Sequence, residues 1–264
     1  MEIDGKTKLY AIVADPIEQV KTPQTINAML NELGVNGVLV PMQVAPENLT
    51  GFFNALRGIK NFDGLIVTVP HKQTVAALCD EVSDAARLIG AVNIVRRESN
   101  GRMVGEILDG QGFVAGLRTH NIEPQGKRVF LCGAGGAANA IAFALAQAGV
   151  SFLGIHNRTP EKVQNMIDRL LQAYPKLKVE YVGANPAGFD LVVNATSLGM
   201  GESDPLPLDV EGLEPNQIVA EIIMKPETTA LLDQAQKRGC KIHYGLPMLK
   251  SQANLMAQFL GISE

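Results

Sequence analysis

The chain has 264 residues, of which 46% are hydrophobic and 19% charged, with a formal net charge of −4. That mixture excludes a disordered or fibrous chain and suits a globular protein of one large domain or two ordinary ones. Without a basic excess, nucleic acid and anionic membrane surfaces are excluded as partners, and no run approaches the roughly 20 apolar residues that span a bilayer.

Cys79, Cys132 and Cys240 lie far apart, in or beside apolar stretches, and read as reduced core residues. Asp4, Lys6 and Lys8 interrupt any apolar leader, so a cytoplasmic protein is expected. Leu9 to Ala14 reads as a strand, and Ile26, Met29, Leu30 and Leu33 then recur at helical spacing. Gly37 to Val44 is a second strand, followed by the helical stripe of Leu49, Phe52, Phe53 and Leu56. Gly64 to Val69 is a third strand, stopped by Pro70, with helical stretches around Thr74–Cys79 and Asp84–Leu88. Val92 to Arg96 and Met103 to Ile107 flank Ser99-Asn100-Gly101, a hairpin turn. This alternation predicts an α/β domain with a mainly parallel sheet.

The boundary is expected within Asp109–Gln125, where a helix from Phe113 to Arg118 carries the chain across. The run from Val129 to Ala138 then breaks from a buried strand into Gly133, Gly135 and Gly136 and restarts as a helix. Such a turn presents helix N-terminal amides to a pyrophosphate. Ala137 to Ala148 is apolar nearly all round and reads as a buried helix. A strand from Phe152 to His156 ends in Asn157-Arg158-Thr159, where an NAD site would usually carry an acidic residue. Arg158 and Lys162 suit a ribose 2′-phosphate, because a guanidinium matches phosphate oxygens two at a time. Asn157 and Thr159 would add hydrogen bonds, and the alternative is a solvated basic patch at a helix start. NADP is therefore preferred, with NAD the alternative. Leu191 to Ala195 and Ile218 to Ile222 are further strands, Thr228 to Lys237 a helix, and Pro247 to Leu260 a last helix that carries Gln252 on its apolar stripe.

In order, Asp15-Pro16-Ile17, Val67-Thr68-Val69-Pro70-His71-Lys72, Gly90-Ala91-Val92-Asn93 and Asp109-Gly110-Gln111-Gly112-Phe113 precede the glycine loop. After it come Asn157-Arg158-Thr159, Asn194-Ala195-Thr196-Ser197 and Gly245-Leu246-Pro247-Met248-Leu249, leading to Gln252. This set, spanning essentially the whole chain, resembles the shikimate dehydrogenase family. The resemblance implies two α/β domains with a cleft between them: a substrate domain of residues 1–108 and 245–264, and a Rossmann NADP-binding domain of residues 109–244. It implies reversible hydride transfer at a ring hydroxyl, interconverting 3-dehydroshikimate and shikimate or a related hydroxylated ring acid, in aromatic amino acid biosynthesis. A monomer or homodimer is expected.

The resemblance also assigns roles. Lys72, just past a strand end, would pass a proton to and from the reacting oxygen, and Asp109 would pair with it. On position alone Lys72 reads as a surface lysine; the alternatives for the others are a helix cap for Asp109 and a structural amide for Asn93. Thr22, Thr68, Asn93 and Gln252 would contact substrate, while Gly133, Ala134, Gly135, Gly136, Ala137 and Thr196 would line the nucleotide with Asn157, Arg158, Thr159 and Lys162. The chain departs from the family at the substrate end. Val20 and Thr22 stand at the two serines of the first loop, Ile66 at an asparagine and Met224 at a tyrosine. Each hydrogen bond lost to a charged ligand group is worth about 1.5–3 kcal/mol, so the substrate is expected to shift while the reaction type survives. The alternative is a dinucleotide-binding sensor or accessory protein with little turnover.

Overall fold

The computed structural model describes residues 2–263. It divides into two units, one running to Leu108 and resuming at Ala253, the other Asp109–Gln252.

The first unit contains β1 (Lys8–Ala14), α1 (Thr22–Glu32), β2 (Gly37–Gln43), α2 (Leu49–Leu56), β3 (Phe62–Val67), α3 (Lys72–Leu78), β4 (Glu81–Val82), α4 (Asp84–Ile89), β5 (Ile94–Arg97) and β6 (Met103–Glu106). Its six-stranded sheet runs β2-β1-β3-β5-β6-β4. β1 is parallel to β2 and β3, and β4 to β6, whereas β5 is antiparallel to both its neighbours. The turn between β5 and β6 is the expected hairpin, with Gly101 at φ +85° and the Arg102 amide held by Asn100 Oδ1 at 2.9 Å. One reversed strand has a consequence for function. The start of β5 and the end of β6 lie at the same sheet edge as the C-terminal ends of β1 and β3, which is where α/β sheets bind ligands. The core is a cluster of Tyr10, Ile12, Ile26, Leu30, Leu39 and Ile66 with Met256, Ala257 and Leu260.

The second unit contains α5 (Asp109–Arg118), β7 (Arg128–Cys132), α6 (Gly136–Gln147), β8 (Phe152–His156), α7 (Pro160–Ala173), β9 (Val179–Tyr181), β10 (Leu191–Asn194), β11 (Ile218–Glu221), α8 (Ala230–Lys237) and β12 (Lys241–His243). α9 (Leu246–Phe259) begins here, and its last residues, from Ala253, count with the first unit; the sequence assigned everything from Gly245 to the first. The sheet runs β12-β11-β10-β7-β8-β9 with every pairing parallel. Numbered from β7, that is the doubly wound order 3-2-1-4-5-6, whose switch point lies between β7 and β10. Val129 to Cys132 are buried, as a strand covered on both faces requires.

α5 starts at Asp109 rather than at Phe113. Gly110 and Gly112 lower helix propensity and hid its first turn in the sequence. The structure uses them for close approach. A Cβ on Gly110 would sit 2.0 Å from the Ala140 carbonyl oxygen, and one on Gly112 2.7 Å from Cβ of Gln252. All three cysteines are free.

Candidate active site

At the edge of the first sheet where β1 and β3 end, β3 stops at Val67 and the chain passes through Thr68 to Lys72, the first residue of α3. Backbone bonds fix this passage. The Thr68 amide donates to Val13 O at 3.1 Å and the His71 amide to Thr68 O at 2.9 Å. The Lys72 carbonyl accepts from the Val92 amide at 3.0 Å, which ties the start of α3 to the residue before Asn93. Asn93 is 1% exposed and directly precedes β5, extending its hydrogen bonding. Its amide donates to Glu106 O at 2.9 Å, and its carbonyl accepts from the Val67 amide at 2.8 Å. Its side-chain Oδ1 accepts from the Leu108 amide at 2.8 Å. Thr68, Lys72 and Asn93 therefore share one edge, with Thr68 and Lys72 half-buried. Thr22, also half-buried, opens α1 after β1.

Asp109, 7% exposed, opens α5, where the helix dipole favours a carboxylate. Its Oδ1 accepts from Nε2 of Gln252 at 2.6 Å, and Gln252 is 8% exposed. The sequence placed Gln252 among candidate ligand contacts; its bond to Asp109 depends on the α5 glycines, which let the α9 backbone close in.

The nucleotide candidates follow the C-terminal ends of β7, β8 and β10 in the second sheet, around its switch point. Gly133 has φ +121°, a conformation that disfavours any side chain. A Cβ there would lie 3.0 Å from Ala195 O and 3.2 Å from Thr196 Cγ2, so the loop after β10 presses directly on the loop after β7. The Gly133 amide donates to His156 O at 2.8 Å, anchoring the turn to β8. Gly135 caps α6 with no side chain on its first amides, and a Cβ on Gly135 or Gly136 would meet nothing within 4 Å. This is the form a pyrophosphate cradle takes: a helix start stripped of side chains. Asn157, Arg158, Thr159 and Lys162 follow at the end of β8 and the start of α7, with Arg158 and Lys162 exposed. Thr159 occupies the N-cap position of α7 without its side chain bonding there.

The Asn194-Ala195-Thr196-Ser197 stretch organises itself. Asn194 Oδ1 accepts from the Thr196 amide at 3.1 Å and from its Oγ1 at 2.7 Å, and the Leu198 amide donates to Thr196 Oγ1 at 3.0 Å. Behind it Glu221, fully buried at the end of β11, accepts from Asn194 Nδ2 at 2.8 Å and Thr229 Oγ1 at 3.0 Å. Burial pushes the Glu221 carboxyl above its ordinary range, and these bonds oppose that shift. The sequence reading missed Glu221; its signal was a lone acid ending an apolar strand.

The departing positions fall in different environments. Ile66 is 3% exposed inside the core cluster, and Val20 packs against the same cluster. Both side chains contribute apolar contact. Met224 is 47% exposed.

Residues 12–95 match the family model of the shikimate dehydrogenase substrate binding domain, and residues 117–199 that of shikimate / quinate 5-dehydrogenase. An NADP(+) shikimate dehydrogenase of Rubrobacter xylanophilus is 40% identical over 257 residues, 95% of this chain and 89% of that protein. Among solved structures, shikimate 5-dehydrogenase from Listeria monocytogenes in complex with shikimate and NAD matches with a TM-score of 0.93 at 29% identity, over 100% of this chain and 95% of that one. The ligand-free form of 5-ketofructose reductase of Gluconobacter sp. strain CHM43 matches with a TM-score of 0.89 at 29% identity, over 97% and 94% of the two chains.

Proposed function

The chain belongs to the shikimate dehydrogenase family, and on that premise we propose that it is an NADP-dependent oxidoreductase that acts reversibly at the hydroxyl of a small hydroxylated ring acid, shikimate or a near relative, in the cytoplasm. The observation that carries this reading is the shared edge of Thr68, Lys72 and Asn93, assembled by one antiparallel strand from segments distant in sequence. Bound NADP supplies the hydride acceptor. Gly133 to Ala137 would hold its pyrophosphate through backbone amides, with Thr196 against the same turn, and Arg158 and Lys162 would take its 2′-phosphate with Asn157 and Thr159.

Lys72 carries the proton chemistry. Oxidation of the ring alcohol leaves a proton on the oxygen as the carbon becomes a carbonyl, and the amine form of Lys72 accepts it. In reduction the ammonium form returns it to the developing alkoxide. On the family pattern Asp109 would be the carboxylate that orients the Lys72 ammonium; within its own unit Gln252 holds that carboxylate at 2.6 Å. Thr68 and Asn93 position ring hydroxyls, and Thr22 contributes from the start of α1.

The test is steady-state reduction of NADP+ with shikimate, quinate and aminoshikimate, for the unmodified chain and Lys72→Ala. Lys72→Ala lowers kcat by about a hundredfold or more while melting as the parent does, in line with the value of a positioned acid–base group. A loss of less than about tenfold removes Lys72 from this role. Tight NADP+ binding with no turnover of any ring alcohol favours a nucleotide-binding sensor instead.

A further inference from the structure

One polar side chain interrupts the otherwise apolar buried stretch of α6. Asn139 is 8% exposed between Ala138 and Ala140, and every residue from Ala138 to Leu145 is buried. Its Nδ2 donates to Gly135 O at 2.9 Å and to Ala134 O at 3.3 Å, and Gly135 O also accepts the Asn139 backbone amide at 2.9 Å. Its Oδ1 accepts from Nη2 of Arg169 on α7 at 2.5 Å. Burying this amide and drawing a guanidinium out of water both cost free energy; desolvation holds the Arg169 pKa below its usual value.

We propose that Arg169 and Asn139 are positioning residues for the dinucleotide pyrophosphate: Arg169 fixes which end of the Asn139 amide faces the glycine loop, and Asn139 turns the Ala134 and Gly135 carbonyls away from the ligand. This rests on the nucleotide reading above. A guanidinium can only donate, so it takes the amide oxygen and leaves the NH2 group facing the loop. Each peptide is planar and trans, so its N–H points opposite to its C=O. With the Ala134 and Gly135 carbonyls drawn toward Asn139, the amides that share their peptide planes, those of Gly135 and Gly136, face the other way. Those are the amides that meet the phosphate oxygens at the start of α6. A bare Gly-rich turn could flip a peptide and present a carbonyl to the anion; Asn139 holds both against that.

The test is calorimetric binding to the full-length chain of two ligands, NADP+ and adenosine 2′-phosphate, which has the 2′-phosphate but no pyrophosphate. The variants are Asn139→Leu, Arg169→Met and Arg169→Lys, with thermal midpoints measured in parallel. Asn139→Leu raises the Kd for NADP+ by about tenfold or more, the value of a lost hydrogen-bond arrangement at a charged group, and moves that for adenosine 2′-phosphate less than about twofold. Arg169→Met loosens NADP+ by a smaller factor, about three- to tenfold, and Arg169→Lys, again a pure donor, restores part of it. Should Asn139→Leu not fold, the two Arg169 variants decide alone. Unchanged NADP+ affinity in Arg169→Met, or an equal loss of both ligands, overturns the proposal. If the unmodified chain binds neither ligand, the nucleotide reading falls first and this inference with it.

Discussion

Gly133 and Gly135 stand two residues apart in the same turn, yet alanine at each should damage a different property. At Gly133 the backbone has φ +121° and an added Cβ would lie 3.0 Å from Ala195 O and 3.2 Å from Thr196 Cγ2. A non-glycine residue held in that conformation costs about 1–3 kcal/mol, and crowding a packed contact costs about 1–3 kcal/mol more. Taking about 3 kcal/mol as the sum, and about 2–4 °C per kcal/mol for a chain of this size, Gly133→Ala lowers the melting temperature by roughly 6–12 °C. At Gly135 the backbone is at φ −82°, ψ −173°, which alanine adopts freely, and a Cβ meets nothing within 4 Å. Gly135→Ala therefore melts within about 2 °C of the parent. Its methyl instead occupies the space through which the backbone approaches the pyrophosphate, and a clash of about 1.4 kcal/mol or more weakens NADP+ binding at least tenfold. Thermal unfolding without nucleotide, paired with NADP+ titration, reads the two effects separately. If Gly135→Ala lowers the melting temperature but leaves NADP+ affinity intact, or Gly133→Ala changes neither, the division of the loop into a packing glycine and a ligand glycine is wrong.

Arg158→Ala is expected to weaken NADP+ by about tenfold or more, the worth of a charge-assisted phosphate contact, with NAD+ affinity unchanged; equal losses for both nucleotides would remove Arg158 from the 2′-phosphate site. His243 is 3% exposed with its buried Nε2 unpartnered, and burial first, then His120 at 5.0 Å between ring centroids and Lys241, hold its pKa down to about 4. The unfolded chain binds this proton near 6.5 and the folded chain only near 4, so stability is full above about pH 6.5 and falls with acidification toward 4. Between about pH 7 and about pH 5 that loss is about 2 kcal/mol. In urea titrations His243→Phe should lose less stability over that interval by the same amount, and identical slopes for the two chains would refute the linkage. Asn93→Ala leaves the buried Leu108 amide without its acceptor and costs about 1–3 kcal/mol. In the fraction that folds, Asn93→Ala should also raise KM for the ring acid; a normal KM would show that Asn93 is structural only.

Both sheets were legible because buried parallel strands are continuous apolar runs broken by turn residues, and β7, β8, β10 and β11 fall within a residue or two of their expected ends. Only the start of α7 is legible in the sequence, because Glu161, Lys162, Asp168 and Arg169 dilute the stripe of Val163, Met166, Ile167 and Leu170, which is clear only once the sheet gives it a face. β9 and β12, three residues each, are too short to carry a period. The reversal of β5 follows from its hairpin, but the sheet order that brings Asn93 beside β3 depends on pairings far apart in sequence. The glycine loop was readable because a cradle made of backbone advertises itself through missing side chains. Asn139, Glu221 and the Gln252–Asp109 bond were not, since each matters through a partner at least 27 residues away.

Asn93, Asn139 and Asn194 share one device. An asparagine amide is ambivalent, donor at one end and acceptor at the other, and a partner with a single role decides which end points where. The Leu108 N–H can only donate, so it takes Asn93 Oδ1 and directs the Nδ2 hydrogens elsewhere. Arg169 can only donate, so it takes Asn139 Oδ1 and aims Nδ2 at the Ala134 and Gly135 carbonyls. The Glu221 carboxylate accepts, so it takes Asn194 Nδ2 and leaves Oδ1 to hold the Thr196 amide and hydroxyl. In each case the asparagine has no choice of orientation, because a partner with a single role removes it. The carboxylate equivalent should fail at Asn194, where it would set a second carboxylate against a buried one.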